Sequence, residues 1–149
     1  MNFAPAPALV IGYGNDLRGD DGAGPAAVRQ LQANAGQQSL LCHQLTPELA
    51  EAISRYASVI FVDARADLPP GEVRIEPLDG GRTPLTQKCS PGALLTWSRQ
   101  IYGREPAAFA VGIGAESFEF GEGLTPVVRR AACEAARAIE RMLKPPGAP

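Results

Sequence analysis

Residues 8–24 read ALVIGYGNDLRGDDGAG, an apolar run followed by a glycine-rich loop with two adjacent carboxylates. The apolar run predicts a buried strand, since short apolar segments that end at glycine are typical of parallel sheets. The loop is costly, because glycine loses backbone entropy on folding and the charges of Asp20 and Asp21 repel each other. Such costs indicate a ligand or metal site at the carboxyl end of a first strand.

The rest of the chain alternates between β-rich and helical patterns, which predicts a three-layer α/β/α sandwich around a mostly parallel, twisted sheet. In segment 72–77 apolar and polar residues alternate, so it is expected to be a half-exposed edge strand that runs either parallel or antiparallel to its neighbour. The predicted strands are 8–12, 39–44, 58–64, 72–77 and 107–113.

Four helices are expected to begin where a residue that can cap a helix precedes a proline at the first helical position. The last helix has the clearest pattern, with apolar residues at steps of three and four. The four predicted starts are Gly24-Pro25, Thr46-Pro47, Ser90-Pro91 and Thr125-Pro126.

Composition limits the classes of function. The chain has 149 residues, a formal charge of −2 and 20% charged residues, which predicts one globular domain over 1–149 with flexible tails at 1–6 and 145–149. There is no basic stripe for nucleic acid, no apolar run long enough for a membrane helix and no signal-peptide pattern. Three dispersed cysteines indicate reduced thiols and a cytoplasmic location. No helix face has surplus apolar residues, so a monomer is expected.

Two carboxylates are the candidate catalytic and metal-binding groups. Asp21 (or Asp20) follows the first strand and Asp63 ends the third, and the carboxyl ends of parallel strands meet at one edge of the sheet. They could bind a divalent cation or act as an acid/base pair. The alternative is structural, with Asp20 as the cap of the first helix and Asp63 as a turn former.

His43 and the glutamates of the loop after the last strand each allow two interpretations, and the glycine-rich loop allows a rival function. His43, at the end of the second strand, is a hydrogen-bonded structural residue or a ligand, and Glu116, Glu119 and Glu122 belong to a solvated loop or to the rim of the site. A dinucleotide-binding loop would need a third glycine where Leu17 stands, and the aspartates would repel a pyrophosphate.

Segment 12–24 resembles the opening motif of the [NiFe]-hydrogenase maturation endopeptidases. The similarity continues through Val62-Asp63-Ala64, the 90–102 helix and the 121–126 segment, so it spans nearly the whole chain. It implies a five-stranded α/β sandwich. It also implies an endopeptidase that removes the C-terminal extension of the hydrogenase large-subunit precursor after nickel is inserted.

The resemblance also implies the site residues. Asp21 and Asp63 would contact the nickel already seated in the precursor, and a histidine in the loop before the 90–102 helix would be the third ligand. That loop, 85–90, reads LTQKCS and has no histidine. His43 is the favoured replacement, Cys89 could supply a thiolate, or the third ligand is absent. The alternative function is therefore a non-catalytic binding protein or chaperone for a hydrogenase subunit.

Overall fold

The computed structural model describes residues 2–35, 38–80 and 89–147. These residues form five strands, four α-helices and a 3-10 helix, Gly19–Gly22, which precedes the first α-helix. The strands are β1 Ala8–Tyr13, β2 Ser39–Cys42, β3 Ser58–Arg65, β4 Val73–Leu78 and β5 Ala107–Gly114. The α-helices are α1 Ala23–Ala35, α2 Leu49–Ile53, α3 Pro91–Tyr102 and α4 Pro126–Met142.

The strands form one sheet in the order β2-β1-β3-β5-β4. All neighbours are parallel except β4, which is an edge strand and runs antiparallel to β5. The predicted α/β class, the strand positions and the exposed edge at 72–77 are thus confirmed. Since β1 has β2 on one side and β3 on the other, the loops after these three strands meet around a topological switch point, where ligands bind in open α/β sheets.

Two apolar layers hold the helices on the sheet. Helices α1 and α4 pack on one face, where Val28 and Ile139 are fully buried against Val10 and Val62. Helix α4 presents a row of buried alanines to this layer, so its backbone lies close to α1. Helices α2 and α3 pack on the other face, where Ile53 belongs to the second layer.

The predicted helix starts are right for α3 and α4, which begin at Pro91 and Pro126, and wrong for α1 and α2. Helix α1 begins at Ala23, because the 3-10 helix leads directly into it and places Pro25 within its first turn. A proline is tolerated there, since the first N–H groups of a helix have no partner within the helix. A turn at 47–48 delays the start of α2 to Leu49.

The N-terminal segment is packed against the last helix at one point. Ala4 is buried, and its N–H donates to the carbonyl of Met142 at 2.8 Å. The flexible tails at 1–6 and 145–149 stay predictions. In the described ranges, no helix combines the length and the apolar character that crossing a membrane requires.

Candidate active site

A cleft of about 550 Å³ opens at the carboxyl ends of β1, β2 and β3. The predicted pair Asp21 and Asp63 lines it together with His43 and Cys89, so residues that are far apart in sequence meet as the topology predicts. The remaining lining residues are Tyr13, Gly14, Gln44, Leu45, Thr46, Pro47 and Ala64.

Asp21 lies in the 3-10 helix Gly19–Gly22 and is held in place by the glycine-rich loop. The N–H of Asn15 donates to Asp21 Oδ2 at 2.7 Å, which orients the carboxylate. Gly14 has φ 146°, and a Cβ there would lie 2.0 Å from the backbone oxygen of Asp21. Only glycine allows this approach, so the loop glycine serves the placement of Asp21.

Asp63 lies in β3 at the floor of the cleft and is partly buried. Desolvation raises its pKa to about 6, and the nearby negative charge of Asp21 adds to the increase. A hydrogen bond with the Tyr13 hydroxyl and the charge of Arg65 oppose the increase. The two aspartates are therefore electrostatically coupled across one cleft.

Tyr13 is a site residue that the sequence analysis missed. Burial raises the pKa of its phenol, and the charge of Asp63 and the hydrogen bond to Asp63 raise it further. The hydroxyl thus stays protonated and donates to the Asp63 carboxylate. No motif indicated this contact, which depends on the parallel register that places Gly12 beside Val62 and hence Tyr13 next to Asp63.

The two candidate replacements for the absent loop histidine both reach the cleft. His43 is solvent-exposed and follows β2, and Cys89 is half-buried just before α3. Burial raises the pKa of the Cys89 thiol, and the negative charge of Glu48 adds to this, so the thiol is protonated at neutral pH. Lys88 and the rest of the 85–88 segment lie outside the described residues. The geometry thus offers an imidazole and a neutral thiol beside the carboxylates.

No group of three or more His, Cys, Asp or Glu side chains that could hold a metal ion occurs within 2–35, 38–80 and 89–147. Asp21 and Asp63 are hard oxygen donors that a cation could contact, and His43 offers one nitrogen. By themselves these side chains do not form a metal-holding group within the described residues.

Asp20 faces away from the cleft, unlike its neighbour. It is fully buried, and its carboxylate accepts from the N–H groups of Glu116 and Ser117 at 2.8 and 2.9 Å. The N–H and hydroxyl of Thr125, at the start of α4, also donate to it. Burial alone would raise its pKa, but these hydrogen bonds outweigh burial and lower the pKa. Asp20 therefore ties the loop after β5 to the glycine-rich loop and does not cap α1.

The glutamates of the loop after β5 are not among the residues that line the cleft. Glu122 instead borders a second cavity of about 380 Å³, beside Asp16 and Arg29. This second cavity is separate from the cleft that Asp21 and Asp63 line. The interpretation that these glutamates form the rim of that cleft therefore gains no support.

N–H groups of the glycine-rich loop donate to acceptors within the protein. Those of Gly19 and Asp20 donate to the carbonyls of Gly121 and Ser117, at 3.0 and 2.9 Å. That of Asn15 donates to the Asp21 carboxylate. A phosphate-binding loop must leave such groups free for its ligand. These N–H groups are already used within the protein, which disfavours the nucleotide-binding hypothesis.

Fold and cleft together define a doubly wound α/β protein with a pair of aspartates at the switch point of its sheet. No family model matches the chain, and no curated protein sequence does. Solved structures match closely. A [NiFe] hydrogenase maturation protease, HybD from Thermococcus kodakarensis, is 26% identical and superposes with a TM-score of 0.75, covering 92% of this chain and 99% of that one.

A second match at the same identity is the hydrogenase maturating endopeptidase HybD from E. coli. It is 26% identical with a TM-score of 0.73, over 89% of this chain and 88% of that one. HycI from T. kodakarensis, a [NiFe] hydrogenase maturation protease, is 22% identical with a TM-score of 0.72 over 93% and 92%, and it supports the fold alone. The resemblance to the hydrogenase maturation proteases is thus confirmed at the level of the whole fold.

Proposed function

We propose that this protein is an endopeptidase that removes the C-terminal extension of a [NiFe]-hydrogenase large-subunit precursor after nickel insertion. One observation supports this most directly. Asp21 and Asp63 line one cleft in a fold that superposes on hydrogenase maturation proteases along nearly its full length. The alternative, a non-catalytic binding protein, is not favoured, since the similar structures are proteases.

The nickel belongs to the substrate in this proposal. It enters the cleft with ligands from the precursor, so Asp21 and Asp63 need to add only one or two contacts and His43 a further one. This division of ligands suits a cleft with two carboxylates and one imidazole. The enzyme would then select precursors that already hold nickel.

The chemistry needs a positioned water and a proton acceptor. The water attacks the carbonyl carbon of the scissile bond, the C–N bond breaks, and the proton passes through a carboxylate to the leaving amine. The hydrogen bond from the Tyr13 hydroxyl orients the Asp63 carboxylate, which supports Asp63 as the group that carries the proton. Asp21 lines the same cleft and is held by the N–H of Asn15.

The cell compartment and the assembly state are part of the proposal. A cytoplasmic enzyme fits the three cysteines, which are all free. A monomer is proposed because the substrate is itself a large protein and needs an open cleft.

To test this, the purified protein is incubated with a nickel-loaded large-subunit precursor from the same organism, and the mass of the subunit is then measured. The native protein should remove the C-terminal extension, whereas Asp21→Asn and Asp63→Asn should leave it. Glu134→Gln on the exposed face of α4 is the matched control, because it exchanges a carboxylate for an amide far from the cleft. An intact precursor that co-elutes with the native protein would establish a binding protein and refute the peptidase.

A further inference from the structure

Strand β2 is an edge strand whose outer side points away from the sheet. The N–H groups of Val10 and Gly14 donate to the carbonyls of Gln38 and Cys42, both at 3.1 Å. Because the backbone groups of a strand alternate between its two sides, the N–H and C=O of Leu41 point away from β1. Within residues 2–35, 38–80 and 89–147, no other element forms a hydrogen bond with these two groups.

The side chains of this edge are also uncovered. Leu40 and Leu41 are 38% and 39% exposed, although both lie in a strand. The register pairs Leu41 with Gly12, so its side chain lies on the face of the sheet that α1 covers. An exposed edge with apolar residues is a template for pairing with another extended chain.

The edge is continuous with the candidate active site. A small cavity of about 110 Å³ is lined by Leu41, Pro25 and Arg29, and it shares Gly14 and His43 with the main cleft. A chain that occupies the cleft therefore reaches β2 by crossing His43.

The cavity combines an ion pair with an apolar side. Arg29 is neutralised by Asp16, which accepts from its guanidinium at 2.7 Å. Leu41 and Pro25 form its apolar side, and Gly14, Cys42 and His43 complete the lining. Its volume of about 110 Å³ has room for one side chain of a bound segment.

We propose that the outer edge of β2 at Leu41 pairs with an extended segment of the precursor that flanks the scissile bond, with an apolar side chain of that segment in the small cavity. This inference rests on the proposed function. An endopeptidase must hold its substrate extended, and addition of a strand to a sheet edge provides main-chain hydrogen bonds with little demand on sequence. The edge positions the peptide, and the carboxylates act beyond His43.

Leu41→Pro tests the backbone pairing. Proline removes the outward N–H and is tolerated on an edge strand where that group faces solvent. We expect KM for the nickel-loaded precursor to rise roughly tenfold with kcat roughly unchanged, the loss of about one hydrogen bond. Leu41→Ala is the matched control, because it keeps the N–H, and it should raise KM less. Equal effects of the two variants would overturn the pairing.

A second measurement does not depend on turnover or on the folding of the proline variant. Amide hydrogen exchange at Leu41 is followed in Asp63→Asn, with and without the nickel-loaded precursor, at concentrations where the variant and the precursor co-elute. Added protection at Leu41 supports the proposal, and unchanged exchange overturns it. If the native protein cleaves the precursor and both results are negative, only this inference fails. If the native protein does not cleave, the proposed function fails and this inference falls with it.

Discussion

Replacement of Asp63 by asparagine should make the protein more stable at neutral pH while it abolishes the proposed activity. Asp63 is partly buried in the cleft, and desolvation raises its pKa from 3.8 to about 6. Ionisation of Asp63 at neutral pH is therefore costly in the folded state. Asparagine has nearly the same shape, does not ionise, and still accepts a hydrogen bond from the Tyr13 hydroxyl.

The size of the effect follows from the pKa. Between about pH 4 and about pH 6 the unfolded chain has lost the Asp63 proton and the folded protein still holds it, so the free energy of unfolding decreases as pH rises. Each pKa unit corresponds to about 1.4 kcal/mol, and a shift of about two units gives about 3 kcal/mol. Below the pKa that Asp63 has in the unfolded chain, Asp63 is protonated in both states and its ionisation costs the folded protein nothing. This stability decreases as the pH rises through about 6 and is lost by neutral pH.

The assay is urea unfolding of the native protein and Asp63→Asn at several pH values between 4 and 7. The difference in free energy of unfolding should move in favour of the variant by about 3 kcal/mol across this range, and most of the change should fall below about pH 6. A difference that does not vary with pH would refute the argument, because it would mean that Asp63 ionises equally easily in both states.

Four further substitutions test the fold, each by urea unfolding at neutral pH. Asp20→Asn should cost about 3 kcal/mol, since the amide offers donors to N–H groups that need acceptors, and a change under about 0.5 kcal/mol would contradict that role. Gly24→Ala should cost about 1–3 kcal/mol, because its Cβ would lie 2.3 Å from the Val62 carbonyl oxygen. Ser90→Ala removes the acceptor for the Ala93 N–H at 3.1 Å and should cost about 1 kcal/mol. Ile139→Ala empties a fully buried position and should cost about 3 kcal/mol, and a neutral result would mean that the α1/α4 layer refills the space.

The strands and the sheet could be predicted because their signal is local. Segment 59–62 is solidly apolar and lies in the third strand, next to β1 in the middle of the sheet, while 72–77 alternates and lies at the edge. The prediction failed at two helix starts for a physical reason. Pro25 fits the first turn of a helix as well as its first residue, so the sequence alone does not distinguish a start at Ala23 from one two residues later.

The candidate site was predictable only as far as topology determines it. Parallel strands bring the ends of β1 and β3 together, which places Asp21 and Asp63 in one cleft. The roles of Tyr13 and Asp20 were out of reach, because each depends on a partner far along the chain. Tyr13 meets Asp63 through strand register, and Asp20 meets Thr125 across 105 positions.

Asp20 and Asp21 have different roles, and this explains how the loop tolerates two adjacent negative charges. Asp20 is surrounded by donors from the loop after β5 and from α4, so its charge is compensated inside the protein. Asp21 is held by the N–H of Asn15 and lines the cleft, where its charge raises the pKa of Asp63. The glycines allow the loop to turn tightly enough for the two carboxylates to point in different directions. One carboxylate therefore stabilises the loop that presents the other, so loss of Asp20 should act on stability and loss of Asp21 on the proposed cleavage.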